Sequence, residues 1–226
     1  MKRSQINAII RENEAFIAKH CFMLPPFTAW TPEEWKTKGP ECDEIRDNML
    51  GWDVTDFGLG DYDTYGLFLV TIRNGNQNNP KYTKPYAEKL MIVNEGQTCP
   101  MHFHWFKQED IINRGGGVLC MKVYNATADE ELDETGDVVV VCDGVKKVVP
   151  AGTVLELQPG ESCTVTQRMY HSFWAKPGCG KCLCGEVSQC NDDSADNRFH
   201  QPVGRFPAIE EDEAPYRLLC NEYPKA

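Results

Sequence analysis

The chain is short of positive charge. Its 226 residues carry 23 Lys and Arg against 34 Asp and Glu, a formal net charge of −11. That balance repels phosphate backbones and anionic membranes, so neither nucleic acid nor a bilayer surface is an expected partner. No run approaches the roughly 20 apolar residues needed to span a bilayer. No export signal is expected either. The stretch "MKRSQINAIIRENEAFIAKH" starts basic, but Arg11, Glu12, Asn13 and Glu14 interrupt any apolar signal core. There is no internal repeat and no low-complexity tract.

Cysteine, by contrast, is abundant and odd in number, at eleven. A secreted chain with that count would suggest a disulfide framework. Without an export signal the expectation is the cytoplasm, with mostly reduced, buried thiols. Apolar residues at 41% and charged residues at 25% describe an ordinary globular protein. The length suits one good-sized domain, or one domain with a helical extension.

Two textures divide the chain. Residues 1–50 read as a helical extension. Ile6, Ile9, Ile10, Phe16 and Ile17 form a helical stripe, with Ser4 as the expected cap. In "TPEEW", Thr31 takes the cap, Pro32 the first turn and Glu34 the capping-box position. Gly39-Pro40 stops that helix, and "CDEIRDNMLG" adds another turn or two. Residues 51–226 read as a β-barrel with a C-terminal tail, the whole forming one structural domain. Runs such as "YGLFLVTIRNG", "AEKLMIVNEG", "GVLCMKVYNA", "DVVVVCDG", "KKVVPAG", "TVLELQPG" and "HSFWAK" are separated by turn residues. Asp143-Gly144 predicts a two-residue hairpin turn. Many short strands at this spacing indicate an antiparallel barrel or jelly roll. The acidic runs "ADEELDE" and "IEEDE" predict solvated loops.

The stretch "GQTCPMHFHWFKQEDIINRGGG" holds the densest chemistry. Read as strand, it turns His102 and His104 to one face and Phe103 and Trp105 to the other. Two imidazoles on one face can reach one cation, although a lone His-x-His pair is often structural. Glu109 follows beyond a local turn, and Gly115 to Gly117 let the chain fold back. The pattern Gly96, five residues, His102-x-His104, four residues, Glu109, six residues, Gly116 resembles the first motif of the cupin family. The second motif of that family supplies one more histidine after a Gly…Pro-Gly turn. Here Gly152, Pro159, Gly160 and His171 correspond, with two departures. His171 lies eleven residues past Gly160, farther than in the short form of the motif, and Ala175 stands where asparagine is usual. His20 and His200 have no such context and read as structural or surface residues. Three imidazoles and one carboxylate suit Mn, Fe, Ni, Zn or Cu, and leave open positions where a substrate could chelate.

A second cluster lies in "CGKCLCGEVSQCNDDSADNRF". Cys179, Cys182, Cys184 and Cys190 could form a zinc knot, but no second Cys-x-x-Cys pair follows. The strand reading puts Cys182, Cys184, Glu186 and Ser188 on one face, with Leu183 and Val187 on the other. If the first face lines the lumen, burial should raise the Glu186 pKa and suit it to proton transfer; on an edge strand, Glu186 is a surface residue. Lys107 shares the parity of Glu109. Lys89, mid-strand in "YAEKLMIVN", has a solvated outer-face lysine as its ordinary explanation.

Taken together, "YAEKLMIVNEGQTCPMHFHWFKQEDIINRGGG" and "GEVSQCNDDSADNRF", set after a helical segment like "TPEEW", resemble the D-lyxose isomerase family of cupins along essentially the whole chain. The resemblance implies a cupin-type antiparallel barrel and one divalent metal ion per subunit, usually manganese, on His102, His104, Glu109 and His171. It implies conversion of D-lyxose to D-xylulose, with D-mannose to D-fructose as a related activity, by a homodimer. Related L-ribose isomerase cupins place a catalytic glutamate at Glu186, a lysine at Lys107 and a hydroxyl-binding acid near Asp193. On that basis Glu186 carries the carbon-bound proton through an enediol, Glu109 shares oxygen-bound protons, and Lys107 orients substrate oxygens. Lys89 and Asp193 are expected to bind hydroxyls. Two other functions fit the same ligands: an iron-dependent cupin dioxygenase, which has no need of Glu186, and a metal-stabilised sugar-binding cupin without turnover.

Overall fold

A computed structural model describes residues 1–226, and helix α1 (Arg3–Lys19) opens it. The helix turns Ile6, Ile10 and Ile17 toward the β-sheets, where all three are buried. Each fully buried isoleucine contributes roughly 1.5–3 kcal/mol. Ser4 does not cap α1, contrary to the sequence expectation. The helix begins at Arg3 with Lys2 in the cap position, and the Ser4 N–H and hydroxyl donate instead to Asp212, at 2.9 and 2.6 Å. A carboxylate from the far end of the chain thus satisfies an N–H that the first helical turn leaves free. Its neighbours in "IEEDE" act likewise: Glu211 pairs with buried Arg3 at 2.6 Å, and Glu213 accepts from Asn7 at 2.6 Å. That acidic run is exposed but bonded to α1, not simply solvated.

Helix α2 (Pro32–Trp35) forms as its capping box predicts. Thr31 Oγ1 accepts the Glu34 N–H at 3.2 Å, and Glu34 Oε2 accepts the Thr31 N–H at 2.7 Å. After Gly39-Pro40, α3 (Asp43–Asp47) adds a last turn before the sheets begin. No helix is long and apolar enough to cross a membrane.

The strands are β1 (Gly51–Thr55), β2 (Leu67–Arg73), β3 (Tyr86–Val93), β4 (Cys99–Phe103), β5 (Glu109–Gly116), β6 (Leu119–Ala126) and β7 (Leu132–Asp133). They continue as β8 (Val138–Cys142), β9 (Val145–Val149), β10 (Val154–Leu157), β11 (Ser162–Val165), β12 (Met169–Ala175), β13 (Cys182–Gln189) and β14 (Arg198–Phe199). One sheet runs β1-β2-β3-β13-β5-β11-β8-β9; the other runs β10-β6-β12-β4-β14, with β7 beside β6. Neighbouring strands are antiparallel, and the two curled sheets share one core, the jelly-roll barrel expected from the turn spacing. Asp143 and Gly144, both at positive φ (50° and 79°), close the β8–β9 hairpin with Cys142 opposite Val145. Gly116 also sits at positive φ (88°), and a Cβ there would collide with the Lys181 carbonyl.

Alternation along the strands separates two cores. Leu67, Leu69 and Met91 point into the barrel and meet Val123 and Phe173 from the opposite sheet. The alternate residues Phe68, Val70, Leu90 and Ile92 face outward and pack under Ile6, Ile10 and Ile17. Because α1 covers that outer face, β2 and β3 are buried on both sides. Lys89 belongs to the inward set with Met91 and is only 4% exposed. The explanation of Lys89 as a solvated lysine is therefore corrected.

All eleven cysteines are unpaired, and all but Cys21 and Cys179 are buried. The zinc knot does not form. Cys182 and Cys184 lie in the barrel core, Cys190 Sγ rests 2.9 Å from the Lys84 carbonyl oxygen, and Cys179 is exposed.

Candidate functional site

His102 on β4 and His171 on β12 are register partners, with ring centroids 4.2 Å apart. This register explains the long second motif. The residues between Gly160 and His171 make strand β11 and a turn before β12 returns beside β4. His104 lies one residue past β4, and its ring is 5.1 Å from His102 and 5.5 Å from His171. A nitrogen from each ring lies within 4.8 Å of the other two.

The three rings are anchored alike. Each Nδ1–H donates to a backbone carbonyl: Pro100 for His102 (2.7 Å), Asp196 for His104 (2.9 Å) and Met169 for His171 (3.1 Å). Each Nε2 is thereby turned toward the other two rings. Those of His104 and His171 are buried without a hydrogen-bond partner, and Glu109 Oε1 approaches them to 3.3 and 3.1 Å. Burial, with the neighbouring His171 and His104 rings adding to it, pushes His102 well below the usual histidine range. Three imidazoles with anchored Nδ1–H groups and converging Nε2 atoms, beside a carboxylate, are the donor set of a divalent transition-metal site. The residues present fit the ion that the resemblance implies. His20 and His200 stand outside this group.

Glu109 opens β5, and Lys107 lies in the turn before it. Lys107 Nζ is 2.7 Å from Glu109 Oε2 and 2.9 Å from Glu186 Oε1, with all three side chains buried. Burial alone would raise the Glu109 carboxyl, but Lys107 and His104 outweigh it and hold it well below the usual carboxylate range. Burial likewise opposes the charge on Lys107, and Glu109, Glu186 and Asp193 overcome it and raise the lysine.

Glu186 has the predicted parity, inward with Cys182, Cys184 and Ser188. Its surroundings differ from the expected face of small uncharged residues, because the β3–β13 register sets Lys89 directly opposite. Oε1 accepts from Lys107 at 2.9 Å and Ser188 at 3.1 Å, with Lys89 Nζ at 3.4 Å. No protein group donates to Oε2. Lys89, His102, Lys107, Glu186, Asp193 and Arg205 line one cavity.

Asp193 lies 3.6 Å from Lys89 Nζ and 2.7 Å from Arg205. Burial would raise it, but Lys89 and Arg205 hold it well below the usual range. Arg205 also pairs with buried Asp53, a carboxyl that burial pushes up against the opposing pull of Arg205. Asn191 Oδ1 accepts from both Lys89 (2.6 Å) and Lys107 (3.1 Å). Arg205, Asp53 and Asn191 escaped the sequence reading. A charged residue inside the apolar run "GWDVT" was a signal available for Asp53; Arg205, in "PVGRFP", has no pattern to reveal it.

Against known proteins, the model of the D-lyxose isomerase family matches residues 1–223. This chain belongs to the D-lyxose isomerase family. It is 47% identical over 224 residues to the D-lyxose/D-mannose isomerase of Escherichia coli O157:H7, covering 99% of this chain and 98% of that protein. It is 48% identical to the D-lyxose/D-mannose isomerase of Serratia proteamaculans, with the same coverage. Among solved structures, Cellulomonas parahominis L-ribose isomerase with L-psicose shares the fold, with a TM-score of 0.61 at 15% identity over 93% of this chain and 98% of that one.

Proposed function

We propose that the protein is a divalent-metal-dependent aldose–ketose isomerase that converts D-lyxose to D-xylulose and D-mannose to D-fructose through an enediol. Family membership and the names of its relatives support the reaction class. The observation that carries the mechanism is a buried carboxylate, Glu186, on the wall of the cavity that the three histidines line, with one oxygen to which no protein group donates.

His102, His104, His171 and Glu109 would hold one ion per subunit, with Mn2+ as the assigned metal. When bound, it supplies positive charge for the oxygens of an open-chain sugar as their negative charge develops. The protein supplies the rest. Glu186 Oε2 takes the proton from C2 and returns it to C1, while Oε1 stays held by Lys107 and Ser188. Lys107, with Nζ between Glu109 and Glu186, donates to sugar oxygens, and Glu109 shares oxygen-bound protons. Lys89, Asp193 and Arg205 are polar groups on the cavity wall for the remaining hydroxyls.

The same reading makes residues 1–50 an extension of the barrel formed by residues 51–226, in one structural domain. The core that α1 shares with β1–β3 supports it. It also places a homodimer in the cytoplasm. Anaerobic incubation of metal-loaded protein with D-lyxose, followed by a ketose assay, tests the function. Ketose formation supports the isomerase. Turnover only with oxygen would favour an iron-dependent dioxygenase, and saturable sugar binding without product would favour a binding protein.

A further inference from the structure

Asp196 lies in the crossing between β13 and β14 and is 5% exposed, yet it forms no ion pair. Its carboxylate accepts two successive backbone N–H groups, Oδ1 from Phe106 at 2.8 Å and Oδ2 from Lys107 at 2.9 Å. Its own carbonyl accepts the Nδ1–H of His104 at 2.9 Å. The turn from His104 to Gln108 joins β4 to β5 and has no ladder partner for these N–H groups. The Lys107 N–H is buried and the Phe106 N–H partly so, and one carboxylate satisfies both.

What Asp196 holds matters more than that it holds. At one end of the turn, His104 aims Nε2 toward the other two histidines. At the other, Lys107 sets its ammonium between Glu109 and Glu186. A carbonyl can only accept, so this bond keeps a proton on His104 Nδ1 and turns Nε2 toward the other two rings. The geometry points to Asp196 as a positioning residue: it fixes the His104 tautomer and the reach of Lys107, so metal affinity and turnover both depend on it. The inference rests on the metal-isomerase reading above.

Asp192 provides the control. It shapes the same crossing, taking the Ser194 N–H and hydroxyl at 3.1 and 2.6 Å and offering its carbonyl to the Asp196 N–H at 2.9 Å. It makes no hydrogen bond to the 104–108 turn. In Asp196→Asn an amide NH2 replaces one oxygen and meets an N–H donor head-on.

The experiment is Mn2+ titration calorimetry on sugar-free protein, combined with steady-state kinetics. Asp196→Asn should raise the Mn2+ dissociation constant about ten- to hundredfold, the range for losing a group that orients a ligand. It should also lower kcat more than it changes KM, while Asp192→Asn leaves the Mn2+ constant unchanged. Equal Mn2+ affinity in wild type and folded Asp196→Asn overturns the inference and leaves the isomerase reading standing. Failure of the wild type to bind Mn2+ overturns the reading itself. Should Asp196→Asn not fold, imidazole 15N spectra of metal-free wild type decide. An Nδ1–H tautomer for His104 with a slowly exchanging proton supports the assignment; an Nε2–H tautomer overturns it.

Discussion

Lys89 and Glu186 face each other as register partners across β3 and β13, with Nζ 3.4 Å from Oε1. Lys107 reaches the same oxygen from the turn before β5 at 2.9 Å, so two cations crowd one carboxylate oxygen and leave the other without a protein donor. Glu186→Gln keeps the shape and removes the proposed base. Turnover should fall about 10²–10⁴-fold, the usual worth of a general base, while metal content and fold persist. Near-normal turnover would make Glu186 structural and Glu109 the leading base.

Metal removal is the second test. Chelation should abolish activity and Mn2+ should restore it. The ion should also raise thermal stability, by about 2.7 kcal/mol at a hundredfold excess over its dissociation constant, because it binds only the folded barrel. Full activity in protein shown by elemental analysis to be metal-free contradicts the site. His171→Ala probes the longer motif, and unchanged metal affinity there would move the fourth ligand elsewhere.

Arg205→Met addresses buried Asp53 and partly buried Asp193 beside the cavity. Removing the cation leaves Asp53 and Asp193 without it and should destabilise the fold by about 3–5 kcal/mol at neutral pH. Burial already raises the Asp53 pKa in the folded protein, and losing Arg205 raises it further. A carboxyl with a folded pKa above its unfolded one holds more protons when folded, so stability falls as pH rises through that interval. The deficit should be smallest near the ordinary aspartate value of about 3.9 and grow toward neutrality. Urea unfolding at several pH values measures this, and a pH-independent deficit contradicts it. Asp53→Asn added to Arg205→Met should recover part of the loss.

The chemical route can be read from isotope labels. An enediol route through Glu186 exchanges part of the migrating proton with water, so reaction in deuterium oxide should place deuterium at C1 of the ketose. Zero incorporation at early conversion, full transfer from 2-deuterated D-lyxose and an active Glu186→Gln variant together indicate a direct hydride shift. The glutamine variant is needed because a well-shielded base can return the same proton.

Much of the fold was legible because its signals are local. The alternation in "KCLCGEVSQ", the Asp143-Gly144 turn and the Thr31–Glu34 box each act within a few residues. The inward histidines followed from the same period of two. The N-terminal cap, the burial of Lys89 and the pairing of Glu186 were not legible. Each depends on a partner far along the chain: Asp212 for Ser4, Asn191 and Glu186 for Lys89, and Lys89 and Lys107 for Glu186. Asp53 and Arg205 meet only because the C-terminal segment returns across the barrel, and no spacing rule encodes that meeting.

The Nδ1 anchors of the three histidines differ in how they could be inherited. His102 and His171 each donate to a carbonyl two residues back on their own strand, at Pro100 and Met169. Their orientation is carried by the backbone of one short segment and survives any side-chain change elsewhere that leaves that segment in place. The cavity wall formed by Asp193 and Arg205 comes from other segments. The 190–206 region can therefore change the shape and charge of the cavity wall while two of the cavity's histidines keep their aim.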